Sequence, residues 1–275
     1  MAGNTILFVI MGICGVFMAL PLVMILNNAL KPLDELFRYP PQIFVRNPSL
    51  DNFSDLYVLM SSSWVPFTRY VLNTLIITGL GTVGHVLFAS LAAYPLAKHD
   101  FPGKKFLFSM VVLSLMFSYN VTAIPNYMII SWLGINNTYL AVILPAFAYG
   151  LGLYLMKQFM EQLPDSLLEA ARIDGCSYFR TYWNVLLPLV KPGLTTLAIL
   201  GMLNTWKDLM WPLINNSQAD KMTLAAGLAM LIGEHTTYYE QVMAGGVIAV
   251  LPLIVLFVIF QRQFVQGIAH SGIKG

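Results

Sequence analysis

The groups able to do chemistry in this 275-residue chain are few, because only 10% of its residues are charged. None of their patterns is one for bond-making. Gly103-Lys104 lacks a glycine five residues earlier, where Lys98 stands, and Lys105 follows in place of Ser or Thr, so it is no phosphate-binding loop. No H-E-x-x-H helix, nucleophile elbow or C-x-x-C pair occurs. Cys14 and Cys176 read as two free thiols used as small filler. What remains is the chemistry of binding. In a long apolar stretch stand Asn204, Trp206, Lys207, Asp208 and Trp211. Asn204 and Asp208 share one helical face, whereas the adjacent Lys207 and Asp208 point apart. Amide, carboxylate and indole groups together offer hydrogen bonds and ring stacking to a polar ligand. Equally, Asp208 can pair with a neighbouring helix and fix a bundle; polar groups at such depth are functional suspects in either case. His85 reads as packing, and Asn120 and Tyr149 are weaker candidates for a solute path.

A second polar constellation is Glu169-Ala170-Ala171, then Gly175, Val185 and Leu187-Pro188. Its spacing predicts a water-facing helix–turn–helix. Pro164 and Asp165 suit a first helical turn, and Ser166 with Glu169 has capping-box spacing. Leu167, Leu168 and Ala171 share a face. Gly175 is the left-handed stop. A second helix starts at Ser177, with Tyr178, Phe179, Tyr182 and Trp183 on one aromatic face. Ala170, Ala171 and Gly175 are small enough to admit another protein's backbone. The aromatic face then either fills a groove on that partner or lies at the lipid headgroups.

These groups must be positioned by a membrane scaffold. Hydrophobic residues make up 57% of the chain and the mean hydropathy is +0.70. A soluble domain carries about 25% charged residues, so the surplus apolar surface faces hydrocarbon. A spanning helix needs about 20 apolar residues. Six stretches qualify: 5–28, 69–97, 105–130, 137–156, 189–214 and 242–261. Helices are required, since open strands leave backbone groups unpaired in lipid. The first is too long for a signal-peptide core and lacks a cleavage site, so it is read as retained. No positive charges precede it, so either the chain is truncated or the orientation signal comes later. Lys98, Lys104, Lys105, Lys157, Arg172, Arg180, Lys191, Arg262 and Lys274 fall on one side of an alternating six-helix path. The opposite loops hold Lys31, Arg38, Arg46, Arg69 and Lys221. The first side, with both termini, is therefore expected to be cytoplasmic. The division expected is 1–68 for the first helix and its outer loop, 69–261 for a five-helix core containing the loop 157–188, and 262–275 for a tail. The 29–68 loop should be irregular apart from a piece near 51–60. The net charge of +2 and the absence of a basic cluster argue against nucleic acid.

The run from Glu169 to Pro188 resembles the signature of permease subunits of bacterial ABC importers, with Val185 in place of the family's Ile. Glu169-Ala-Ala-Arg-Ile-Asp-Gly175 looks like the carbohydrate-uptake, maltose-type branch. Ile124-Pro125 to Leu133-Gly134-Ile135, and Asn137-Thr138-Tyr139 to Leu144-Pro145, are similar to that branch's third and fourth helices. Asn204-Thr-Trp206-Lys-Asp208-Leu-Met-Trp211-Pro212-Leu213 is similar to its fifth, with Lys207 where Asn is usual. Phe264 to Gly267 and Gly272-Ile-Lys274 resemble its tail. The resemblance implies an all-α integral membrane protein with six transmembrane helices, the type I importer permease fold, and a cytoplasmic coupling helix. It implies that Glu169, Ala170, Ala171, Asp174, Gly175, Tyr178 and Phe179 seat on an ATPase subunit. Asn204, Trp206, Asp208 and Trp211 would line the path. A second homologous permease, two ATP-binding subunits carrying ATP and Mg, and an extracytoplasmic binding protein contacting residues 215–241 are the implied partners; this chain itself binds no cofactor and no metal. For 215–241 the alternative is an amphipathic helix on the outer leaflet. Rival readings are an ATP-independent secondary transporter, an importer of a solute such as a glycerol phosphate ester, and a membrane scaffold that recruits a soluble protein.

Overall fold

The computed structural model describes residues 2–40, 42–61, 65–232 and 238–272, and every regular element among them is helical. Part of the 215–241 loop (233–237) and Lys274 of the tail, both named above, lie outside the described residues. The chain forms two compact units, Met1–Arg69 with Gly227–Pro252, and Tyr70–Ala226 with Leu253–Gly275.

The first unit opens with α1 (Ala2–Ala29), an apolar helix that keeps Pro21 inside it. The following loop holds α2 (Leu33–Leu36) and α3 (Asp51–Ser61), as expected of short pieces in an irregular stretch. Side chains replace the missing backbone ladder. Glu35 accepts from the amides of Arg46 and Asn47 at 3.0 Å. Asn52 donates to the carbonyls of Ala29 and Lys31. Lys31, counted as a solvated loop charge, is instead buried and donates to Asn28 Oδ1 and the Gln42 carbonyl.

In the second unit α4 (Phe67–Lys98) is the long second span. The third is not one rod: α5 (Lys104–Ser114) and α6 (Tyr119–Trp132) meet at 111°. The fourth joins α7 (Tyr139–Phe147) to α8 (Gly150–Glu161). Then come α9 (Asp165–Ile173) and α10 (Tyr178–Thr181). A π turn, Tyr182–Leu186, leads into α11 (Leu187–Leu189). The chain turns 82° into α12 (Lys191–Trp206), breaks, and resumes as α13 (Met210–Asn215). α14 (Leu224–Ala229) and α15 (Tyr239–Gly272), whose residues are divided between the two units, complete the order. Among the described residues four helices are long and apolar enough to cross a membrane, and six do so if each bent pair is one span. That matches six apolar runs, but the expected continuous 105–130 and 189–214 are each interrupted.

Two further expectations are corrected. Lys157, assigned to a loop, lies within α8, where it pairs with Glu161 at 2.6 Å and sits over the Phe108 ring at 4.2 Å. The amphipathic-helix alternative for the apolar stretch after residue 221 is corrected in part: Met222, Leu224, Ala226 and Leu228 are buried in protein, whereas Met230 and Ile232 are exposed. A core of Ala89, Ala93, Tyr94, Met156, Met160, Leu168, Tyr182, Leu186, Val190 and Leu197 joins α4, α8 and α12 to the α9–α11 segment. Burying Leu168 there contributes about 2 kcal/mol.

Candidate functional site

The α9–α10 segment is built from local rules. The chain enters through Pro164 in extended geometry, so α9 starts one residue before Ser166. The expected Ser166–Glu169 capping box therefore does not form, and no side chain caps that end. Lys98 occupies the place instead, donating to the Leu163 carbonyl and to Asp165 Oδ1 at 2.7 Å. This bond holds the Asp165 carboxyl below its ordinary value. The far end is as expected. Gly175 has φ +77°, its amide bonds the Arg172 carbonyl at 3.0 Å, and the Cys176 amide bonds the Ala171 carbonyl at 2.9 Å. That pair of bonds is the Schellman stop. Ser177 then caps α10 by accepting from the Arg180 amide.

Exposure divides the segment into two faces. Leu168 and Ala171 are buried, while Leu167, expected beside them, is exposed. Glu169, Ala170, Asp174 and Gly175 face out, joined by Tyr178 and Phe179 at 62% and 65% exposure. Ile173, which the pattern did not single out, is 87% exposed on the same tip. Its position three or four residues beyond Glu169 and Ala170 was the available signal. The single aromatic face predicted for 178–183 is split. Tyr182 is buried and shares a 2.7 Å hydrogen bond with Ser90, whereas Tyr178, Phe179 and Trp183 stay exposed. The π turn starting at Tyr182 shifts the register between them. His99, also unforeseen, meets the rings of Tyr94 and Tyr178 edge-on at 5.0 and 5.1 Å. Burial lowers its pKa, with Arg172 and Lys104 adding to the effect. Arg172 itself lies 5.2 Å from the Tyr178 ring.

The other candidate site is a cavity of about 540 Å³. It collects the breaks of three spans. Ser114, Leu115, Phe117 and Tyr119 come from the α5–α6 break, Ala148 and Tyr149 from the α7–α8 break, and Asn204, Thr205, Asp208 and Trp211 from the α12–α13 break. Irregular backbone at membrane depth is tolerated where it is buried in protein or lines a cavity, and here it lines one. Asp208 accepts from the Tyr119 hydroxyl at 3.2 Å and from the Trp211 amide at 3.2 Å. It therefore caps α13 and ties it to α6. Trp211 donates its indole N–H to the Ala141 carbonyl at 3.0 Å. Of the four residues expected together, Asn204, Asp208 and Trp211 meet here, but Trp206 is buried and is not among the lining residues. Tyr149 lines the cavity and Asn120 does not. Tyr119 was missed because only the bend brings it to Asp208. His85 is buried in a slot formed by Gly152 and Gly201, with Nδ1 3.5 Å from the Phe147 carbonyl, which is the packing role expected of it. Cys14 and Cys176 are both free.

Residues 85–270 match the family described as binding-protein-dependent transport system inner membrane component. The arabinooligosaccharides transport system permease protein AraQ of Halalkalibacterium halodurans is 34% identical over 258 residues, covering 93% of this chain and 91% of that protein. The sn-glycerol-3-phosphate transport system permease protein UgpE of Yersinia pestis is 32% identical, covering 84% of each. A chain from the crystal structure of a bacterial ABC transporter involved in import of the acidic polysaccharide alginate shares the fold, with TM-score 0.81, 20% identity and 96% of each chain covered. The chain thus belongs to the binding-protein-dependent transport system inner membrane component family. It is an all-helical permease subunit of a binding-protein-dependent ABC importer, a membrane transport component rather than an enzyme.

Proposed function

We propose that this permease moves a sugar or oligosaccharide inward by alternating access, driven by ATP hydrolysed in separate subunits. The observation that carries the substrate class is the cavity. Three interrupted spans converge there on Asn204, Thr205, Asp208, Tyr119, Tyr149 and Trp211, a set of amide, hydroxyl, carboxylate and aromatic groups. Such groups hydrogen-bond and stack on a polyol, and the lining residues include no Lys or Arg to hold a phosphate or carboxylate. The 34% identity to an arabinooligosaccharide permease supports the same class. The glycerol phosphate relative favours a phosphate ester as second reading.

In this reading the exposed Glu169, Ala170, Asp174, Gly175, Tyr178 and Phe179, with Ile173 added, seat in a cleft of an ATPase subunit on the cytoplasmic side. Ala171, expected among them, is buried and packs α9 onto the permease core instead. Both termini lie on that side. Asn204, Asp208 and Trp211 face the solute, and Trp206 supports them from behind. A second, homologous permease completes the path, two ATPase subunits bind ATP and Mg, and the outer segment after Asn215 meets the binding protein. A rigid helix–turn–helix held between spans transmits a push as rotation of the attached helices.

The test is ATP-dependent uptake by the importer, assembled with its partner permease, ATPase and binding-protein subunits, in proteoliposomes. Accumulation of labelled arabino-oligosaccharide but not of glycerol phosphate is expected. Uptake of glycerol phosphate alone, or uptake without ATP, overturns the reading.

A further inference from the structure

One helix holds both arms of the coupling segment. At the end of α4 the Lys98 side chain is 3% exposed, and its ammonium bonds Leu163 and Asp165 at the start of α9. A charge so buried is stable only with such partners. His99, the next residue, packs edge-on against Tyr178 of α10. Two turns back along α4, Ser90 bonds the buried Tyr182 hydroxyl. Neither α9 nor α10 can shift without moving α4 or breaking these contacts.

The opposite end of α4 is held as firmly. The Asn73 side chain is fully buried; its amide nitrogen donates to the carbonyls of Asp220 and Met222, both at 2.8 Å, and its oxygen accepts from the Tyr139 hydroxyl at 2.7 Å. Thr74 accepts from the Leu224 amide at 2.7 Å. Residues 220–224 belong to the outer loop. From Asn73 to Lys98 a helix rises about 37 Å, close to the depth of a bilayer with its interfaces. Between the ends α4 runs unbroken, Pro95 included, and packs without clearance: Gly84 lies under the Phe147 ring, and His85 fills the slot between Gly152 and Gly201.

We infer that α4 is the rod that links the coupling segment to the outer loop across the bilayer, with Lys98 and Asn73 as positioning residues at its two ends. This rests on the proposed seating of α9–α10 on an ATPase and of the outer loop on the binding protein. Binding-protein occupancy then reaches the ATPase through one helix. The contacts at each end differ between its two positions, as any coupling between distant sites demands.

The test uses the complete importer in proteoliposomes. Three quantities are read: basal ATP hydrolysis, hydrolysis with binding protein loaded with arabino-oligosaccharide, and uptake. Lys98→Met and Asn73→Ala should each lower the stimulated-to-basal ratio at least fivefold while the basal rate holds, and Lys98→Arg should restore half of it or more. Asp165→Asn, on an exposed side chain that does not threaten folding, should lower the ratio about threefold. Unchanged stimulation in Lys98→Met or Asn73→Ala overturns the inference. If those two complexes fail to assemble, an unchanged ratio in Asp165→Asn overturns it. Ile173→Glu separates the two levels: retention of the ATPase with full uptake removes the proposed seating. Loss of the ATPase there, with normal stimulation in Lys98→Met, removes only the rod.

Discussion

The coupling segment and the cavity are built on opposite logic. From Pro164 to Thr181 the turns themselves are set by local signals: a proline entry, a Schellman stop at Gly175 and a serine cap at Ser177. The segment is then tied to the end of α4 through Lys98, and Tyr178 to it through His99. The cavity has no such local plan. Its walls are the interruptions of three spans, brought together only when α5, α6, α7, α8, α12 and α13 pack. On the proposed function, the segment that receives force is stiffened by short-range bonds, and the part that opens and closes around a solute is assembled from discontinuities, where few backbone bonds need to break for it to move.

The largest expected effect tests the stiffness. Gly175→Val forces a β-branched residue to positive φ, at a cost on the order of 1–3 kcal/mol, and should reduce coupled uptake at least tenfold while Gly175→Asn keeps most of it. Equal, normal uptake by both variants would show that the turn is not held rigid. Next, Asp208→Ala should reduce uptake several-fold with the ATPase still bound, because the part-buried Trp211 amide loses its acceptor, at about 1–3 kcal/mol, and the exposed Tyr119 hydroxyl loses the tie that joins α6 to α13. Loss of assembly in the same proportion would make the cavity wall as stiff as the lever and erase the contrast. Tyr119→Phe removes one bond and leaves Asp208 capped by Trp211, so a smaller loss, about 1 kcal/mol in thermal unfolding of the detergent-solubilised protein, is expected. The smallest effect is in pH. His99 has its folded pKa below the ordinary 6.5, so the unfolded chain binds the extra proton as pH falls past that value. The stability His99 contributes is complete above pH 6.5 and is lost as pH falls through the folded pKa. His99→Gln should flatten this part of the melting-temperature profile; an unaltered profile would disconnect His99 from the packing of α10.

The same contrast explains what was legible in the sequence. Apolar length gave the six spans, and residue chemistry at fixed offsets gave Gly175, the Ser177 cap and the exposed edge Glu169–Ala170. The interruptions at 115–118 and 207–209 were invisible because proline does not mark them. Pro21, Pro95, Pro125, Pro145 and Pro252 all lie inside helices, whereas the breaks at 115–118 and 207–209 contain neither proline nor glycine. In a bilayer, helix is kept unless neighbours supply other partners for the backbone, and those partners, such as Asp208 for the Trp211 amide, come from the packed state. Periodicity alone placed Tyr182 with the exposed rings; the π turn that begins there, and the buried bond from Tyr182 to Ser90, could not be read from spacing. Lys31 and Lys157 were read as loop charges because a charge count has no access to the Asn28 and Glu161 partners that bury them.

At position 175 a methyl group built on the backbone would touch nothing within 4 Å. Handedness, not size, therefore decides what the turn accepts. A mirror-image alanine introduced by chemical ligation prefers that same torsion and would have room. It would tighten the hinge point of the lever by about 0.4–1 kcal/mol, through the unfolded chain's lost freedom, where every natural side chain except asparagine and aspartate is resisted.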